Sequence, residues 1–427
     1  MQASASSKQL TAKQRYLKLA VLVIVAGNIY PLIYLRQSYE ISIIGAFGIT
    51  SAQLNDNYTW LGIIYVLTYI PSGWLADRVS PRVLMSFSLL AAGLIGAWFS
   101  TLPSPEYLPF IFIGWGLAAG LTFWSALIKA TTILAEPHEQ GRYFGILESG
   151  RGLVEALLAS IAIFIFSYFL ETIGKDTSYA LVRVIWLYVG MMLLLAPIAY
   201  FVLNDKSDKQ TADVPVDAAK SDALLSDISE VLRKPEIWLC AFCILTGYQL
   251  FWATYSFSAY MQTQFNLTAI TAGSVTAAML WMRVFGAASA GFIGDYWGRE
   301  KVLAIVMVLG SAALAVVAIL PQNVTIGVLT VAILTIGFLA YAIRGIFWAT
   351  LDSCDVSNKA KGLAIGLVSF VGYSPDIYLP KLNNYLLAQY PGKEGYLVYY
   401  SFLAFMGVLG ALAAWKLQRI AASRLAE

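Results

Sequence analysis

The sequence predicts an all-α polytopic membrane protein: twelve transmembrane helices in two six-helix pseudo-repeats. Three observations carry that reading. Only 12% of the 427 residues are charged against 59% apolar, and mean hydropathy is +0.69; a soluble domain carries about 25% charged residues. Apolar runs of the roughly 20 residues that cross a bilayer recur along the chain with short polar breaks between them. The Lys and Arg that lie outside these runs, finally, fall almost entirely in the tails, the long polar segment and alternate breaks.

Taken in order, the first apolar run follows the polar stretch MQASASSKQLTAKQR and has no small-residue cleavage site, so residues 1–16 read as a cytoplasmic tail before an uncleaved helix. Spans are expected near 17–43, 57–76, 83–102, 108–134, 143–170 and 178–203. GWLADRVSPR follows the second, and the polar loop AEPHEQGR, with the only histidine, His138, follows the fourth. Residues 204–236, rich in charge, Ala and Ser, read as a linker. Six more spans are expected near 237–262, 270–293, 301–320, 325–350, 362–389 and 395–416, then a tail, 417–427. The two bundles are thus 17–203 and 237–416.

Of 28 Lys and Arg, nineteen fall in the tails, the linker and the breaks on the same side, and only Lys175 and Lys393 fall in the opposite breaks. The positive-inside rule then puts both termini in the cytoplasm, in keeping with an even number of spans. The net charge of +3 gives no argument for nucleic acid. Cys240 and Cys243 form a C-x-x-C inside an apolar helix and read as small apolar side chains. One histidine cannot build a His-based metal site, and no nucleophile–base constellation or phosphate-cradling Gly-rich loop is evident, so neither an enzyme nor a cofactor is expected.

Two internal correspondences tie the halves together. GWLADRVSPR and GFIGDYWGRE each end the second span of their six with Gly, three residues, then Asp and a following Arg; Asp77 and Asp295 are 218 residues apart. GRYFGI and KGLAIG precede the fifth and eleventh spans. Parallel repeats of six spans are a transporter architecture. Here the chain resembles the major facilitator superfamily, whose signature between helices 2 and 3 has the form G-x-x-x-D-R-x-x-R/K. Gly73, Asp77, Arg78 and Arg82 match it, with Pro81 where a basic residue often stands; Gly291, Asp295 and Arg299 match in the second half. The resemblance implies the major facilitator fold, a monomer in the plasma (inner) membrane, and a conformational role for these residues, the Asp latching helix 2 to helix 11. Glycine at this spacing allows close approach of another helix.

Seven cations remain inside spans: Arg36, Lys129, Arg151, Arg183, Arg283, Arg344 and Lys381. Each lone charge at the centre of a membrane costs about 2.5–3.5 kcal/mol, so partners or water are required. Lys129 and Arg183 lie near helix ends. Arg151 shares a face with Glu148 and Glu155, while Lys381 is five residues from Asp376, a poor same-face spacing. Glu40, Glu148, Glu155 and Asp376 are the acids within spans, fewer than the cations, and a guanidinium suits phosphate, carboxylate or sulfonate. Glu40 is one turn beyond Arg36.

In the superfamily helices 1, 4, 7 and 10 line the pathway, which would place Arg36 and Arg344 there, one in each half. They can form an anion clamp, or each can pair with a carboxylate to lock helices together. YLRQSYE and PSGWLADRVSPRVLM are also similar to the organophosphate:phosphate antiporter family, whose members carry a phosphate-binding Arg on helix 1 near this position. That family's second Arg belongs on helix 7, which here has no basic residue; Arg344 or Arg283 are the candidates to stand in. Helix 7 instead offers Tyr248, Gln249, Trp252, Tyr255 and Tyr260, with Tyr30 and Tyr34 on helix 1: packing, or the wall of a site for a small polar organic ligand.

The expected function is therefore secondary transport of a small organic anion by alternating access. Arg36 and Arg344 are the clamp, with Arg283, Lys381, Tyr34, Tyr248, Trp252 and Tyr255 supporting. Glu148, Arg151, Glu155 and Asp376 are the coupling or gating groups, working with protons or a counter-transported anion. A proton-coupled exporter or sugar-like solute transporter, and a transporter-like organophosphate sensor, are the rival readings.

Overall fold

The computed structural model describes residues 11–135, 140–204, 231–354 and 361–426, apart from the side chains of 70, 77, 140–142, 352, 361–363 and 424–426. His138, most of the linker and the first ten residues lie outside them. Twelve helical spans follow one another: α1 (Ala12–Phe47), α2 (Ser51–Arg78), α3 (Pro81–Ser100), α4 (Pro105–Leu134), α5 (Gln140–Ser167), α6 (Thr177–Val202), α7 (Pro235–Phe265), α8 (Ala269–Trp297), α9 (Arg299–Ile319), α10 (Ile326–Leu351), α11 (Lys361–Gly372 and Pro375–Gln389) and α12 (Lys393–Ala426). Ten are long and apolar enough to cross a membrane. The other two are α2, whose first turns carry Gln53, Asn55, Asp56 and Asn57, and α11, whose two pieces of 12 and 15 residues are each short of a full span.

Local sequence explains the helix ends. Thr50 and Gln53 form a capping box at α2, Asp176, Thr268 and Thr325 cap α6, α8 and α10, and Pro81 and Pro235 stand in the first turns of α3 and α7. Within each half, α3 packs on α6, α1 on α5, α9 on α12 and α8 on α10. The halves meet along α2 with α11, α5 with α8, and the far parts of α1 and α7. Backbone approaches backbone at one of these seams: a Cβ on Gly62 of α2 would lie 2.3 Å from the carbonyl oxygen of Asp376 on α11.

Contacts between the halves run from mid-bundle to the face opposite the termini. Gln37 of α1 donates to Thr254 of α7 (3.3 Å), Ser258 to the Ser38 carbonyl (2.8 Å), and Trp281 of α8 to Ser160 of α5 (3.1 Å). The bundle is closed on that face.

Four helices break regular geometry at one level. α1 breaks at Tyr34–Leu35, just after Pro31, α4 widens into a π-turn over Leu117–Leu121, α7 tightens to a 3₁₀ turn over Ala253–Ser256, and α11 breaks at Tyr373–Ser374. Such interruptions survive in a membrane where they line a cavity.

Candidate functional site: a central cavity with one unpaired cation

The four breaks surround a cavity between the halves, with room for the centres of water-sized molecules of about 100 Å³. Its walls are strongly aromatic: Tyr30 and Tyr34 from α1, Tyr65 and Tyr69 from α2, and Tyr248, Phe251 and Tyr255 from α7. Tyr34 and Tyr255 stack across the halves, with centroids 4.8 Å apart and planes 7° from parallel, and Gln37, Ser38 and Tyr39 line the cavity beyond them towards the face opposite the termini. The charged lining groups are Arg151, Glu155, Arg283, Arg344 and Asp376.

Three arginines meet around this space in different conditions. Arg151, almost fully buried, donates to Glu148 (2.6 Å) and lies over the Tyr30 ring. Arg283 reaches from α8 to α5, bonding Glu155 and lying 3.5 Å from Glu148. It fits because position 152 is glycine: a Cβ there would sit 2.9 Å from the Arg283 Cγ. The expected cluster of Glu148, Arg151 and Glu155 is therefore assembled, and α8 completes it; the sequence spacing could not show that Glu155 is turned to the other half.

Arg344 differs. It makes no salt bridge or hydrogen bond to any described residue, and its guanidinium lies 4.4 Å from the Phe251 centroid and 5.8 Å from that of Tyr248. A second, smaller hollow lined by Glu148, Arg283, Tyr341 and Arg344 adjoins the cavity.

Arg36 is not among the lining residues. It is 1% exposed, donates to Glu40 (3.0 Å) and to the Asn55 side chain of α2 (2.7 Å), and stacks over Tyr58 (4.8 Å). Of the two roles open to it, locking helices is the one it occupies in this conformation. Lys381 requires a correction. It is exposed and lines no part of the cavity, because five residues of helix rotate it by about 140° from Asp376.

Asp376 faces inward. Its Oδ1 accepts from the Tyr248 hydroxyl (2.8 Å) and the Trp252 indole N–H (2.7 Å), so Trp252 serves the site through this carboxylate rather than as a wall. Sequence reasoning passed over Tyr65, Tyr69, Tyr341, Tyr373 and Phe251. One signal was available for the first two: tyrosines four apart share a helix face.

The signature residues lie at the face bearing the termini. Arg78 folds back on the Trp74 carbonyl and ring, Arg82 lies over Tyr200, and Asp295 meets Arg299 at 3.4 Å. The Asp77 side chain lies outside those described. The close approach expected at Gly73 and Gly291 is not found; a Cβ at either would meet nothing within 4 Å, as fits a bundle joined on the opposite face.

Two six-helix halves around an aromatic cavity that carries charged groups, with broken helices at its level, define a multi-pass membrane transporter. The chain belongs to the Major Facilitator Superfamily, whose model matches residues 20–380. It is 26% identical to the inner membrane protein YihN of Escherichia coli (strain K12) over 425 residues, covering 98% of this chain and 99% of that one. It is 28% identical to YqcE, an inner membrane protein of the same strain, with 91% of each chain covered. Among solved structures it is similar to the nucleoside transporter NupG (TM-score 0.72, 14% identity, 94% of this chain and 99% of that one). A bacterial homolog of the human lysosomal transporter Spinster, in an inward-facing and unoccupied conformation, aligns with TM-score 0.64 at 15% identity, over 96% and 97% of the two chains. At such identities the likeness to the structures concerns fold alone.

Proposed function

We propose that this protein is a secondary transporter of a small organic anion – an organophosphate, carboxylate or sulfonate – and that Arg344 is its principal anion contact. The observation that carries this is the state of Arg344. It is a permanent cation in the central cavity, held between aromatic rings and bonded to no carboxylate. A guanidinium left without acceptors in a low-dielectric cavity offers a forked, charge-assisted site for an oxyanion. The Tyr65 hydroxyl and Arg151 Nε, both buried without hydrogen-bond partners, add two donors that a ligand can satisfy.

Arg283, Tyr34, Tyr248 and Tyr255 support the site, and Arg36 is reassigned to holding α1 against α2. Both termini are assigned to the cytoplasm, from the distribution of Lys and Arg, and the membrane to the inner one, as in the two E. coli relatives. The closed face is then the outer one. The Glu148–Arg151–Arg283–Glu155 chain is the hinge between halves during alternating access.

Uptake into proteoliposomes of labelled glycerol 3-phosphate, glucuronate, methanesulfonate, glucose and a nucleoside tests the reading. Saturable uptake confined to anions and lost in Arg344→Gln is the expected result. Equal uptake of the neutral solutes by both proteins contradicts it and favours a sugar-like or nucleoside-like substrate.

A further inference from the structure

We propose that Asp376 is a proton-carrying site and that one proton accompanies each anion. The proposal rests on the anion reading of Arg344 and adds the coupling ion to it. Four carboxylates fall inside the spans expected from the sequence, and three of them are engaged by arginine: Glu40 by Arg36, Glu148 by Arg151, and Glu155 by Arg283. Asp376 is the fourth. It is 3% exposed, lines the cavity, and has no cation within ion-pair distance.

Its hydrogen bonds leave one oxygen available. Tyr248 and Trp252 both donate to Oδ1, while Oδ2 accepts no hydrogen bond from a described residue. A proton on Oδ2 turns the carboxylate into a carboxyl whose C=O oxygen still accepts both donors. The site can load and unload without breaking its contact with α7. The step is COO⁻ + H⁺ → COOH at Oδ2, with the proton taken from water on one side and returned to water on the other; no other bond forms or breaks.

The groups facing Asp376 are phenols and one cation. They are Tyr34 from α1, Tyr65 and Tyr69 from α2, Tyr248 and Tyr255 from α7, Tyr373 and Tyr378 from α11 itself, and Arg344 from α10. The charge balance of the cavity follows. Arg151 with Glu148 and Arg283 with Glu155 cancel, which leaves Arg344 against Asp376. A singly charged anion entering alone makes the interior negative; entering with a proton, it leaves the interior neutral, as it was when empty. A net charge within the membrane is costly, so matched neutrality of the empty and loaded states favours reorientation of both. The seam position matters too, since the Asp376 backbone rests directly against Gly62 of α2.

Infrared difference spectroscopy of the full chain in detergent, titrated across the neutral range, reads the proton directly. The expected result is a protonated-carboxyl band that grows on acidification in wild type and is missing from Asp376→Asn. Identical titrations of the two proteins overturn the proposal. In proteoliposomes loaded with a pH dye, glycerol 3-phosphate, glucuronate and methanesulfonate are the probes. Wild type should move protons with a transported probe, and Asp376→Asn should lose both the accompanying proton movement and uptake driven by a pH gradient. Probe uptake without proton movement overturns the coupling. Arg344→Gln separates the two readings: it should keep the Asp376 band and lose the anion-dependent proton flux, whereas wild-type failure to take up any probe overturns the anion reading while the band still decides Asp376.

Discussion

Arg344 and Asp376 line the same cavity and form no ion pair. Opposite charges in one low-dielectric space ordinarily find each other. Here aromatic rings hold the guanidinium, and Tyr248 and Trp252 hold the carboxylate, so each charge stays available to something that enters.

Arg344→Gln removes the one permanent charge without an ion pair among the described lining residues, while breaking no hydrogen bond to any of them. A hydrogen bond to a charged group is worth about 1.5–3 kcal/mol, so anion affinity should fall roughly 10- to 100-fold with the ligand-free melting temperature nearly unchanged. Isothermal titration with a transported anion checks the first part, and thermal unfolding the second.

Arg36→Ala should behave in the opposite way. It strands Glu40 at 3% exposure and frees the Asn55 side chain, and breaking a buried pair costs about 3–5 kcal/mol. The single variant should unfold well below wild type, and Arg36→Met with Glu40→Leu should recover most of the loss. If Arg36→Ala instead keeps wild-type stability and loses the anion response, helix 1 carries the anion site after all.

The joint between α5 and α8 gives a third prediction. Gly152→Val places carbon where the Arg283 side chain now runs, at 2.9 Å from its Cγ, so Arg283 must swing away from Glu155. Stability should fall in Gly152→Val and in Arg283→Gln, and the double variant should cost clearly less than the two together, because one interaction is lost in each. Additive losses in melting experiments would show that Gly152 and Arg283 act separately.

Much of the fold was legible because hydropathy and Lys/Arg placement are properties of single segments. Fragments of the site were legible for the same reason: Arg344 on the tenth span, the aromatics of the seventh, and Asp376 on the eleventh. What escaped was partnership between helices. Glu40 stood one turn from Arg36 in the sequence, but the contribution of Asn55 and Tyr58 depends on how α2 lies against α1. Glu155 reads as a neighbour of Arg151 and is taken instead by Arg283 from the other half. Lys381 is a cation inside a span, but its rotation away from Asp376 follows from helical geometry alone. The short α11 pieces and the polar start of α2 also hide two spans from a test of length and hydropathy.

Acidification should strengthen anion binding. Protonating Asp376 removes the negative charge that shares the cavity with Arg344, so affinity rises as pH falls through the carboxyl's titration and levels off below it. In Asp376→Asn affinity should already be high and independent of pH across that window. Binding titrations at several pH values distinguish this from a wild type that ignores pH.

The central claim is that Arg344 binds the transported anion, and a thermal-stability screen tests it most directly. Detergent-purified wild type and Arg344→Gln are compared against sugar phosphates, glycerol phosphate, inorganic phosphate, carboxylates, sulfonates, neutral sugars and cationic drugs. A ligand at 100 times its Kd stabilises the folded state by about 2.7 kcal/mol, a readily seen shift. Stabilisation of wild type by anions alone, abolished in Arg344→Gln, is the result expected. Stabilisation of both proteins equally by neutral or cationic compounds would contradict the claim and leave Arg344 a structural charge.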